Sequence, residues 1–78
     1  MKKLISNYTF SASNKTITFN DYTSINLNQV LVITNITDNI IIYNFAALGG
    51  SITTNVLLLD YNTTTMSDSD ELQIFIDV

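Results

Sequence analysis

Apolar and polar residues alternate with a period of two through much of this chain, the spacing at which successive side chains point to opposite faces of an extended strand. From Leu4 to Phe10 one face takes Leu4, Ser6, Tyr8 and Phe10 and the other takes Ile5, Asn7 and Thr9, which predicts a first strand. Ser11-Ala12-Ser13-Asn14 is a polar break able to reverse the chain. Lys15 to Phe19 resumes the alternation with Ile17 and Phe19 on one side, so the first two strands form a hairpin. Asn20 to Asn28 has no clear period and is dense in residues that bond their own backbone, so it reads as a connection pinned by Tyr22, Ile25 and Leu27. Gln29 to Ile36 is almost continuously apolar, as expected of a central strand buried on both faces. Thr37-Asp38-Asn39 makes a turn, and Ile40 to Phe45 returns as a strand.

Ala46-Ala47-Leu48-Gly49-Gly50 contains the only two glycines, and a sharp redirection at positive φ is expected there. A dinucleotide loop would need G-x-G-x-x-G ahead of a helix, which this segment lacks. Ser51 to Asp60 reads as one strand ending in Val56 to Leu59. Leu72 to Val78 reads as another, with Leu72, Ile74, Ile76 and Val78 facing inward and Gln73 and Asp77 outward. The sum is about six strands without a helix-length periodic segment. It predicts an all-β fold, a compact antiparallel β-sandwich or flattened barrel, in a single β domain over residues 1–78.

Composition narrows the chemistry. Thr, Asn, Ile and Ser make up half of the 78 residues, while His, Cys, Arg, Trp and Pro do not occur. Without His, Cys or Arg, the commonest proton shuttles, nucleophiles, metal ligands and anion clamps are missing, and a non-enzymatic role is expected. A chain of this length buries only about 60–65% of the surface its unfolded form exposes. Neither a disulfide nor a zinc site can compensate, so a homo-oligomer, dimer or trimer, is the expected means of stabilisation. Net charge is −4 and the only cations are Lys2, Lys3 and Lys15, too few for a phosphate-binding face, so nucleic acid is not expected as a partner. Met1 to Ile5 resembles the basic start of a signal peptide, but Ser6, Asn7 and Tyr8 interrupt it where an apolar run is required. Neither a secretion signal nor a membrane span is expected.

The acidic segment from Asp60 to Glu71 is the best ligand-site candidate. Asp60, Asn62, Thr64, Asp68 and Glu71 stand at the first, third, fifth, ninth and twelfth positions of a calcium loop. Thr65 occupies the sixth position, where that loop needs glycine, and strands flank the segment where helices belong. The competing reading is a solvated crossover in which Ser67 or Asp68 caps a short turn. Neither cofactor nor metal is therefore expected, with Asp60, Asn62, Asp68 and Glu71 the weak metal candidates. Asp68 with Asp70, or Asp60 with Glu71, are formal carboxylate pairs for glycoside hydrolysis, but nothing builds a cleft around them. Asn-x-Ser/Thr triplets at Asn7, Asn14, Asn35 and Asn62 exceed only slightly the two or so that this composition gives by chance, roughly. Tyr8, Tyr22, Tyr43 and Tyr61 are scattered among segments and read as packing residues.

Two stretches resemble small virion proteins of tailed bacteriophages and domains attached to phage fibre-like proteins. One runs from Asn7-Tyr8-Thr9-Phe10 through Tyr43-Asn44-Phe45. The other, more specific, is Leu58 to Phe75, with the pattern Asp-x-x-x-x-x-Met-Ser-Asp-x-Asp-x-Leu-Gln-Ile from Asp60 to Ile74. The resemblance implies a virion structural protein made in the host cytoplasm: a capsid decoration or cement protein that stabilises the head, bound to the major capsid protein or another virion protein. A tail, baseplate or fibre-attachment adaptor is the alternative, and a carbohydrate- or calcium-binding module ranks behind both.

Overall fold

The computed structural model describes residues 1–47 and 49–78. Two four-stranded antiparallel sheets pack face to face in an all-β sandwich. In chain order the strands are β1 (Lys2–Ile5), β2 (Tyr8–Ser11), β3 (Thr16–Phe19), β4 (Val30–Asn35), β5 (Ile40–Asn44), β6 (Gly50–Thr53), β7 (Val56–Leu59) and β8 (Leu72–Asp77). Sheet A has the order β1-β8-β4-β5 and sheet B the order β2-β3-β7-β6. A short 3-10 turn at Leu27–Gln29 precedes β4.

Among the described residues eight strands replace the six expected from the alternation, because two of the expected strands are each divided. The first breaks at Ser6-Asn7, where the chain leaves sheet A for sheet B. The face assignment changes with it: Ile5 and Phe10 are buried, whereas Leu4, expected to share a face with Phe10, is exposed. The second, Ser51 to Asp60, is a β6–β7 hairpin turning at Thr54-Asn55, with Thr54 at φ 54°. Positive φ among the described residues falls on Lys15, Asn39 and Thr54 and on neither glycine. Glycine serves close approach instead: a Cβ on Gly50 would lie 2.7 Å from the Leu58 carbonyl oxygen.

The inner faces meet in a core of Ile17, Phe19, Leu57 and Leu59 from sheet B against Val30, Ile33, Ile42, Ile74 and Ile76 from sheet A. Tyr22, Ile25 and Leu27 pin the connection to this core as expected. Val30 and Ile33 both point inward although three residues apart, because Leu31 is bulged out of the β4–β8 pairing. Ile42 is the extra residue of a second bulge, in β5, which buries Ile42 and Tyr43 side by side. β4 is central, between β8 and β5. Its outward residues Val32 and Thr34 are only half-buried, since no layer covers that face, so burial on both sides is not observed. Leu72, Ile74 and Ile76 point inward, but Val78 is 44% exposed beyond the end of β8.

Candidate functional site

The acidic segment is held by its own side chains. Asp68 accepts the Ala12 amide at 2.7 Å and the buried Thr63 hydroxyl donates to the Ala12 carbonyl at 2.8 Å, stapling the segment to the β2–β3 turn. Asn62 accepts both the amide and the hydroxyl of Thr64. Asp70 accepts the Ser67 amide at 3.3 Å while its own amide donates to the Ser67 carbonyl, closing a reciprocal turn. The Glu71 backbone extends the sheet ladder through Ile36 and Thr37. Asp60 and Glu71 are exposed at opposite ends of the crossover, next to β7 and β8. Among the described residues no three carboxylates converge on a point where an ion would sit.

Two polar residues seal the place where the strands change sheets. Asn35 is fully buried at the end of β4; its Nδ2 donates to Asp70 Oδ2 at 2.9 Å and to Met66 Sδ at 3.2 Å, and its Oδ1 accepts the Asp38 amide at 3.0 Å. Burial removes Asn35 from the glycan acceptors. The Tyr8 hydroxyl accepts the Leu72 amide at 2.8 Å, where β1 has turned away and β8 has lost its neighbour. Tyr22 and Tyr61 pack against the core rim, and burial raises the Tyr43 phenol above its ordinary pKa.

The outer faces of the sheets differ in chemistry. Sheet B presents two hydroxyl-rich rows, Thr9-Thr18-Val56-Thr53 and Ser11-Thr16-Leu58-Ser51. Sheet A presents an apolar row, Leu4-Phe75-Val32, in direct register across β1, β8 and β4. Ile41 extends it beside Thr34, and Ile36 lies beyond the end of β4. Leu4, Ile41 and Ile36 are 54%, 49% and 45% exposed. A groove of about 290 Å³ joins Leu4, Ile36, Glu71 and Gln73 at the lower edge of this face. A face of contiguous apolar side chains left open to water is the mark of an interaction surface.

Among the described residues, charge sits at the ends of that face. At one end the Met1 ammonium donates to Asp77 Oδ1 at 2.8 Å, and Lys2 Nζ lies 4.0 Å from Asp77 Oδ2. The ammonium, and more weakly Lys2, hold the Asp77 carboxyl below its ordinary pKa. Lys2 therefore has Asp77 as its ion-pair partner. Glu71 marks the other end.

The apolar face was not identified from the sequence. Its signal was Phe75 at an outward position of β8, between the outward Gln73 and Asp77, which alternation assigns to solvent. No helix among the described residues is long and apolar enough to cross a membrane. No family model matches the chain, and neither the curated proteins nor the solved structures compared with it contain a match.

Proposed function

We propose that this chain is a non-enzymatic structural protein of a tailed-phage particle, a capsid decoration protein that assembles on the head shell as an oligomer. The single observation supporting an assembly role is the open apolar row Leu4-Phe75-Val32 with Ile41 and Ile36 on the outer face of sheet A. Water-exposed surface of this kind gains free energy when another surface covers it. The lack of His, Cys and Arg, with Asp68 and Asp70 engaged in holding the backbone, supports a role without catalysis. The virion setting rests on the resemblance of Asp60 to Ile74 to phage proteins. Several residues of that pattern, among them Met66, Asp68, Asp70, Leu72 and Ile74, are architectural here, so the pattern speaks for a shared fold and transfers no active site.

Quantitative mass spectrometry of purified particles, with the chain located by electron cryomicroscopy, tests the proposal. Copies in the hundreds on the shell are expected. A handful of copies at the tail would replace decoration by an adaptor role, and absence from the particle would overturn the proposal.

A further inference from the structure

We infer that the open edge of β2, at Tyr8 and Phe10, takes an extended segment of a partner protein as a further strand of sheet B, and that this segment carries lysine or arginine at alternate positions. The inference concerns a different part of the surface from the apolar face of sheet A and is independent of the virion setting.

The backbone register shows what the edge offers. β2 pairs only with β3. The Asn20 amide donates to the Asn7 carbonyl at 3.3 Å, and Asn7 opposite Asn20 continues the register in which Tyr8 stands opposite Phe19 and Ser11 opposite Thr16. Hydrogen-bonded positions alternate along an antiparallel pair, so Asn7, Thr9 and Ser11 turn their backbone groups toward β3, while Tyr8, Phe10 and Ala12 turn theirs to the open side. The pairing of β3 agrees: the Phe19 amide donates to the Asn55 carbonyl at 2.9 Å and the Lys15 carbonyl accepts the Leu59 amide at 2.8 Å, both on the β7 side. Ala12 finds partners on the open side, since its amide donates to Asp68 and its carbonyl accepts the Thr63 hydroxyl. The amides and carbonyls of Tyr8 and Phe10 have none among the described residues. An unpaired row of this kind is a template for strand addition.

The edge opens into a groove. About 630 Å³ of space lies between Tyr8 and Phe10 on one side and Asp68, Ser69, Asp70 and Glu71 of the crossover on the other. Phe10 is buried, and the little it exposes lines this groove, so water is a poor substitute for a strand there. Tyr8 and Phe10 stand two residues apart, about 7 Å, which a segment of about four residues covers. Charged side chains guard strand edges, and the chain's cations lie elsewhere: Lys2 and Lys3 are on β1, and Lys15 is at the end of the β2–β3 turn.

The wall of the groove selects the chemistry of the segment. Asp68 bonds the protein through Oδ1 and Asp70 through Oδ2; their other oxygens, and the whole Glu71 carboxylate, have no partner among the described residues. No cation stands among the residues lining the groove. Residues directly opposite one another in a sheet share a face, and the Tyr8 side chain faces the crossover, where its hydroxyl meets the Leu72 amide. Residues added opposite Tyr8 and Phe10 therefore point toward the carboxylates, and lysine or arginine complements them. Backbone bonds supply the affinity, and the alternate side chains supply the choice of partner.

Nuclear magnetic resonance of the isotope-labelled protein tests this with two capped peptides of about eight residues, one alternating threonine with lysine and one alternating threonine with glutamate. The lysine peptide should bind with Kd on the order of 100 μM. It should slow amide exchange at Tyr8 and Phe10 at least about tenfold and leave Thr9 and Ser11, already paired with β3, unchanged. The glutamate peptide should bind at least about tenfold more weakly. Glu71→Lys replaces an exposed side chain and should weaken the lysine peptide about fivefold. Ile41→Gln, on the outer face of sheet A, should not change it. No protection at Tyr8 and Phe10 in about 1 mM lysine peptide, or equal binding of the two peptides, would overturn the inference. So would protection that appears without peptide as protein concentration rises, which assigns the edge to a second copy. The two peptides are compared on the wild type, so the outcome does not depend on either variant folding. None of these results bears on the copy number in particles, which judges the virion proposal separately.

Discussion

Removal of the Asn35 amide should be among the most damaging single changes available in this fold. The side chain is 0% exposed, at the point where β4 ends and the crossover docks. Asn35→Ala deletes a hydrogen bond to the Asp70 carboxylate, worth about 1.5–3 kcal/mol as a bond to a charged group, and a neutral one from the Asp38 amide, worth about 0.5–1.5 kcal/mol. Asp38 is exposed, so its amide can turn to water and the second loss falls at the low end. A destabilisation of about 2–4 kcal/mol follows, a large fraction of the roughly 4–12 kcal/mol expected of a chain this long. The melting temperature should fall by about 10–25 °C. Asn35→Asp keeps the shape but sets a second carboxylate 2.9 Å from Asp70 Oδ2 in place of the donor. The introduced carboxyl is held above its unfolded pKa. Its penalty is therefore full above the folded value, fades as pH falls from there to the unfolded value of about 4, and is gone below it. Urea unfolding at neutral and acidic pH measures both variants. A loss under about 0.5 kcal/mol for Asn35→Ala, or an Asn35→Asp penalty equal at the two pH values, would refute the assignment of this amide as a structural clamp.

Thr54 is β-branched and sits at φ 54°, so Thr54→Asn should stabilise by about 0.5–1 kcal/mol by relieving the left-handed backbone, read as a shift in the urea midpoint. No gain would mean that the turn relaxes away from that φ. Burial raises the Tyr43 pKa above its ordinary 10.0, so the wild type binds the phenol proton more tightly folded than unfolded. It should lose stability as pH climbs past that ordinary value, and Tyr43→Phe should lose less. Parallel losses for the two proteins between about pH 8 and about pH 11 would contradict it.

The period-two pattern located the β2–β3 hairpin, the central β4 and the inward set Leu72, Ile74 and Ile76, because burial of one face forces that spacing. It failed where spacing alone carries no information. Ser6-Asn7 continues the alternation without a break although the chain changes sheets there, since polar residues in a strand and in a short link look the same. Thr54-Asn55 hides a hairpin because Thr belongs to the strand formers and gives none of the usual turn cues. The bulge at Leu31 turns Val30 and Ile33 to the same face with apolar Leu31 and Val32 between them, so β4 reads as one apolar run buried on both faces, and the bulge at Ile42 displaces burial by one residue in β5. At the acidic segment the spacing matched a calcium loop, while the hydrogen bonds to Ala12, Asn35 and Ser67 depend on partners up to 56 residues away that no local pattern shows. The apolar outer face went unread for a related reason: Leu4, Val32 and Phe75 become neighbours only when β8 inserts between β1 and β4.

That insertion also governs how the chain reaches its fold. β8 pairs on one side with β1, some seventy residues earlier, and on the other with β4. Sheet B contains only strands between Tyr8 and Leu59 and has all its partners at hand before Leu72 emerges during synthesis. Sheet A at that stage is a β4–β5 hairpin and a detached β1, with a strand-wide gap between them and the inner face of sheet B uncovered. The contacts that close the gap have the highest contact order in the molecule, which places them late and makes folding slow for so short a chain. Until β8 arrives, Val30 and Ile33 stand next to open backbone, so the nascent chain passes through a species whose unpaired edge lies in the middle of its future sheet.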